Sequence, residues 1–171
     1  MELYILRHGE AGKRLPSGNK DSERPLTVTG EQEVEEVAES LSDLGLKFDA
    51  IISSPLKRAL QTAEIVAKVL KAKKKIELWD ELKPESSHSD FYKRLSQVKR
   101  ESSVLLVGHE PFLSSMIGDL VFSGGNSSAQ GRIVLKKSGL AKVAVTSFQP
   151  KAQGELRWLL TPRHLKKIQK K

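Results

Sequence analysis

Apolar runs of a few residues alternate along the chain with longer stretches whose apolar positions recur every three to four residues. The short runs predict buried strands and the longer stretches predict amphipathic helices. Leu3–Leu6, Asp49–Ile52, Ile76–Trp79 and Val104–Val107 are the earlier strand candidates. Val34, Val37, Ala38, Leu41 and Leu44 fall at helical spacing behind Thr29 as N-cap, with Gln32 three residues on and Gly45 as terminator. Ser54 and Pro55 predict a second helix, Ser54 capping it and Pro55 at its first position, above a stripe of Leu56, Ala59, Leu60, Ala63, Val66, Ala67 and Leu70. Phe91–Val98 reads as helical. Gly108-His109-Glu110-Pro111 turns the fourth strand into a helix carrying Leu113, Met116, Ile117 and Leu120. Gly124–Gly131 reads as a flexible loop, and Ile133–Leu135, Ala141–Ser147 and Leu156–Leu160 as later strands, partly antiparallel. This alternation predicts an α/β fold of three layers, α/β/α, around a mostly parallel central sheet.

With 171 residues, 38% of them hydrophobic, the chain can bury a core without staples. Residues 1–162 are expected to form one domain, followed by a basic tail, 163–171. The sequence has no cysteine, which excludes disulfides, thiolate zinc sites and a cysteine nucleophile. The apolar run of MELYILRHGE stops at Arg7, too short for a signal peptide or a bilayer span. A soluble, cytoplasmic monomer is the expectation, with no membrane partner. The net charge of +8 is concentrated in Lys68–Lys75 and Arg163–Lys171. These runs read as solvated surface or as a functional patch. They lack interleaved aromatics, so nucleic acid is not the expected partner.

Chemistry gathers at the strand ends. Arg7 and His8 follow the first strand, Ser53, Ser54 and Arg58 the second, Glu81 the third and His109 the fourth. In open α/β sheets ligands sit beyond the carboxyl ends of the strands. If the strands are parallel, two histidines, two arginines and a carboxylate share one pocket. Arginine offers a planar fork to phosphate oxygens, and a helix N-terminus beside Arg58 presents free N–H groups to an anion. A neutral histidine can attack phosphorus, and a second, protonated histidine can stabilise the equatorial oxygens. Arg58 lies off the apolar stripe, so its side chain need not enter the core. Glu81 is a candidate general acid, with Glu110 beside His109 as its rival and solvent as a third source of the proton. His88 and His164 read as solvent-exposed, without catalytic duty. No metal-ligand spacing is present, and neither metal nor cofactor is expected.

The segments LRHGE (6–10), RPLTVTG (24–30), SSPLKRALQTAEI (53–65) and VGHEP (107–111) resemble the histidine phosphatase, or phosphoglycerate mutase-like, superfamily. RPLT and ELKP are similar to its phosphohistidine phosphatase SixA branch. The resemblance implies a phosphoglycerate mutase-like fold. It implies His8 as the nucleophile that becomes phosphohistidine, Arg7, Arg58 and His109 as the rest of the phosphate pocket, and Glu81 as the proton donor. The family's Gly-x-Trp-Glu-Gly run and its capping insertions are absent. A shallow, open site follows, suited to phosphohistidine on a protein surface. A small phosphoester substrate, or a non-catalytic phosphoprotein-binding module, are the alternative readings.

Overall fold

The computed structural model describes residues 1–13, 21–72, 76–99, 102–122, 133–149 and 151–168. The first apolar run forms β1 (Glu2–Arg7), followed by α1 (Val28–Asp43), β2 (Ala50–Ser53), α2 (Lys57–Val69) and β3 (Ile76–Leu78). Then come α3 (His88–Leu95), β4 (Ser103–Gly108), α4 (Phe112–Val121), β5 (Leu140–Ser147), β6 (Gln153–Leu160) and α5 (Pro162–Lys166). Single 3-10 turns lie at Asp21–Glu23 and Asp80–Leu82. The six strands form one mixed sheet in the order β3-β2-β4-β1-β5-β6. β3, β2, β4 and β1 run parallel; β5 and β6 join antiparallel.

The interior positions of the central strands are apolar because both faces are covered. Leu3 and Ile5 pack with Phe91, Leu95, Leu113 and Met116 of α3 and α4. Tyr4 and Leu6 pack on the other face with Val34, Val37, Ala63 and Val66 of α1 and α2, where Leu165 of α5 also lies buried. The expected three layers are therefore present, with a mostly parallel sheet between them.

Several helix boundaries differ from the sequence pattern, each for a local reason. The cap of α1 is Thr27 rather than Thr29. Thr27 Oγ1 accepts from the Gly30 N–H at 3.0 Å, while its own N–H donates to the Glu10 carbonyl at 2.8 Å. At the other end Gly45, at φ 68°, donates to Ser42 and Leu46 donates to Leu41, a two-bond left-handed stop. Ser54 does not cap α2, which begins at Lys57 behind Leu56. The Ser54 N–H instead continues the sheet by donating to the Val107 carbonyl. α3 starts at His88, capped by Ser87, earlier than the Phe91 start expected. Ile133–Leu135 is not a strand; the Leu135 carbonyl accepts from the Arg7 side chain rather than from a sheet neighbour. The Gly124–Gly131 segment lies outside the described residues.

Candidate active site

Strand register brings the two histidines together. Arg7 of β1 pairs with Gly108 of β4, so His8 and His109 leave the sheet side by side. Their ring centroids are 5.0 Å apart. Ser53 pairs with Val107 on the other flank of β4. That places Ser54 beside His109, where its Oγ lies 2.9 Å from His109 Nε2. Arg58, one residue into α2, closes the group: its Nε–H donates to His8 Nε2 at 3.3 Å. Arg7 donates from Nη1 to the Leu135 carbonyl at 3.0 Å, and its buried Nε has no protein partner. His8, Arg58 and His109 are 7%, 3% and 1% exposed, so the groups sit at the floor of a cradle. The expectation that Arg58 stays out of the core is corrected. The buried face of α2 carries Arg58 and Thr62 in register with Ala59, Ala63 and Val66.

The loop after His8 is held from two sides. Gly9 donates to Thr62 Oγ1 at 3.1 Å, and that hydroxyl donates back to the Arg58 carbonyl at 2.7 Å. On the α1 side a Cβ on Gly30 would come within 2.1 Å of the Glu10 carbonyl oxygen, so only glycine lets the helix approach. The close approach explains glycine at the end of the RPLTVTG segment.

These contacts set the protonation state of the imidazoles. His8 Nδ1 lies 2.7 Å from the Gly9 carbonyl, which can only accept, so Nδ1 carries the hydrogen. The lone pair is left on Nε2, facing Arg58. Burial disfavours the imidazolium and, with smaller contributions from Arg58, Arg7 and Arg24 against the Gly9 bond, pushes the His8 pKa down to about 4. His109 is pushed further, to about 2, again by burial first and then by His8 and Arg58. Among these neighbours alone, burial and the adjoining cations favour the neutral form of His109.

Sequence patterning missed Asp21 and Arg24 as site residues. Asp21 Oδ2 pairs with Arg58 Nη2 at 3.0 Å, and Asp21 Oδ1 with Arg24 Nε at 3.0 Å. The acid candidates have different partners. Glu81 pairs with Arg94 Nη1 at 2.6 Å, and the Arg94 guanidinium lies 4.3 Å above the Trp79 ring. Glu110 accepts from Ser114 Oγ at 2.5 Å and keeps a buried Oε1 without a partner. His88 is not solvent-exposed as expected. It is half-buried between Asp119, 2.6 Å from its Nδ1, and the Phe112 carbonyl, tying α3 to α4. His164 is exposed, in contact with Thr161. Among the described residues no helix is long and apolar enough to cross a membrane.

The profile of the histidine phosphatase superfamily (branch 1) matches residues 3–87. An uncharacterized protein of a Picosynechococcus strain is 34% identical, over 96% of this chain and 99% of its own. Phosphohistidine phosphatase SixA of Escherichia coli K12 is 27% identical, over 97% of each chain. The solved structure of protein histidine phosphatase SixA complexed with tungstate superposes with a TM-score of 0.81 at 26% identity, covering 96% of this chain and 99% of that one.

Proposed function

The chain belongs to the histidine phosphatase superfamily and is a SixA-like phosphatase, and we propose that it removes phosphate from phosphohistidine on a cytoplasmic protein through a covalent phosphoryl group on His8. The observation that carries the mechanism is the neutral, buried His8 with its Nε2 lone pair turned toward Arg58. Full-length likeness to SixA, a phosphohistidine phosphatase, supports the substrate. That relative's complex with tungstate, a tetrahedral oxyanion, supports an oxyanion in the cradle.

Arg7, Arg58 and His109 hold the phosphoryl oxygens. The His8 Nε2 lone pair attacks phosphorus in line, a new N–P bond forms, and the N–P bond to the substrate imidazole breaks. Neutralisation of the oxygens and in-line positioning supply most of the catalysis. A neighbouring dianion raises the pKa of an imidazole, so His109 takes up its proton with the phosphoryl group rather than before it. Water then attacks the phosphorus on His8 and releases inorganic phosphate. The substrate imidazole is a good leaving group, so an acid matters less than for an alkoxide. Glu81 is the donor proposed for a phosphoester, once its carboxylate leaves Arg94 and takes up a proton from solvent.

The test compares a histidine-phosphorylated phosphocarrier protein with 4-nitrophenyl phosphate. The phosphoprotein is expected to have the higher kcat/KM, and His8→Ala to abolish both activities. A Glu81→Gln variant is expected to lose more on the ester than on the phosphoprotein. Faster turnover of small esters than of the phosphoprotein would overturn the substrate assignment.

A further inference from the structure

Arg58 donates a hydrogen bond to the His8 ring, so what holds its guanidinium bears on how a phosphoryl group is received. A guanidinium offers two forks. One lies at its end, between the two terminal nitrogens; the other lies along its side, between Nε and one terminal nitrogen. The two terminal nitrogens meet a single residue. Nη1 donates to the Asp21 carbonyl at 2.9 Å, and Nη2 pairs with Asp21 Oδ2 at 3.0 Å. Asp21 therefore engages both terminal nitrogens, and Nε is turned to His8 Nε2.

Asp21 is itself held. Its Oδ1 pairs with Arg24 Nε, and Arg24 Nη1 donates to the Gly12 carbonyl at 3.0 Å. The chain of contacts runs from the loop after the nucleophile, through Arg24 and Asp21, to Arg58 and back to His8.

We propose that Asp21 is a positioning residue for phosphoryl transfer: it grips the end fork of Arg58 and so presents the side fork to the phosphoryl group on His8. This rests on the phosphatase reading of the same site. Two other roles fit the geometry less well. A carboxylate that had to be displaced by phosphate would engage the Nε–H that faces His8, whereas Asp21 engages the terminal nitrogens and leaves Nε to His8. A proton donor would need its proton at neutral pH. Burial alone would favour that, but the Arg58 and Arg24 cations outweigh it and hold the Asp21 carboxyl below its ordinary range.

The experiment measures kcat and KM on 4-nitrophenyl phosphate, and the inhibition constant of tungstate, for Asp21→Ala and Asp21→Asn. Both are made in the native and Arg58→Ala backgrounds. Asp21→Ala is expected to lower kcat by about 10- to 100-fold, the scale of a misplaced catalytic group, with a smaller change in KM. Asp21→Asn keeps an oxygen for Arg58 and is expected to recover part of the loss. In the Arg58→Ala background the same substitutions are expected to change kcat less than about twofold, because coupled residues do not add. A kcat within twofold of the native enzyme in both variants would overturn the proposal. So would tighter tungstate inhibition, the mark of a displaced carboxylate, or a full additive loss without Arg58. Tungstate and the small ester are used because both report on the cradle whichever phosphoprotein is the substrate. Failure on phosphohistidine alone would strike the substrate assignment and leave this result standing.

Discussion

The protonation state of His8 can be tested directly by titration. An imidazole at its ordinary pKa of about 6.5 is roughly three-quarters protonated at pH 6; one at about 4 is roughly 1% protonated. The cause is chiefly burial, since only 7% of the residue is exposed, with the arginines adding to it. Long-range proton–nitrogen correlation spectra of labelled protein are expected to show His8 neutral at pH 6, with the hydrogen on Nδ1. Replacing Arg58 with glutamine removes one cation but little of the burial, so the midpoint is expected to rise only part of the way. The sign of the linked stability change follows. The folded pKa lies below the unfolded one, so the unfolded chain binds more protons between them. Stability is fully present above about pH 6.5 and is lost as pH falls toward 4, by about 3 kcal/mol for a shift of this size. A midpoint at 6 or above, or a hydrogen on Nε2 at neutral pH, would refute the reasoning. So would complete recovery of the ordinary pKa in Arg58→Gln.

Three further outcomes are expected. Tungstate binding at pH 7 is expected to draw up to about one proton per site from solution, because the anion raises the pKa of His109; calorimetry in buffers of different ionisation enthalpy checks it, and net proton release would contradict it. Gly30→Ala places a Cβ at 2.1 Å from the Glu10 carbonyl oxygen and is expected to cost about 1–3 kcal/mol in denaturant unfolding. Gly118→Ala in α4, whose Cβ would meet nothing within 4 Å, serves as the unstrained control and is expected to gain up to about 1 kcal/mol. Thr62→Val leaves the buried Gly9 N–H without its acceptor; a loss of about 1–3 kcal/mol together with a lower kcat is expected, and native values for both would show the bond to be dispensable.

How much of this was legible in the sequence depended on the distance over which each residue is positioned. His8 and His109 could be placed because each directly follows a buried apolar run. Parallel pairing then needed only the register of Arg7 with Gly108 to bring them together. Arg58 could be assigned to the site but not to the buried face. A guanidinium breaks the apolar stripe of α2, and contacts with His8 and Asp21, which lie outside the helix, hold it there. Asp21 and Arg24 carry no periodic signal at all. Their roles arise when a polar loop folds back on a helix 37 residues away. The cap of α1 was misplaced for a similar reason. In sequence Thr29 has the capping-box partner Gln32, but the Thr27 N–H bond to the Glu10 carbonyl fixes Thr27 as the cap. The ion pairs that engage Glu81 and His88, with Arg94 and Asp119, are likewise made between separate elements.

The short bond from His8 Nδ1 to the neighbouring carbonyl has a chemical corollary. Imidazole can be phosphorylated at either ring nitrogen, giving two regioisomers with different lability and different recognition by isomer-selective antibodies. Here one nitrogen is engaged by its own main chain, so the adduct proposed on His8 would form at Nε2, as the tele isomer. On the proposed mechanism, one peptide unit would fix the regiochemistry of the intermediate.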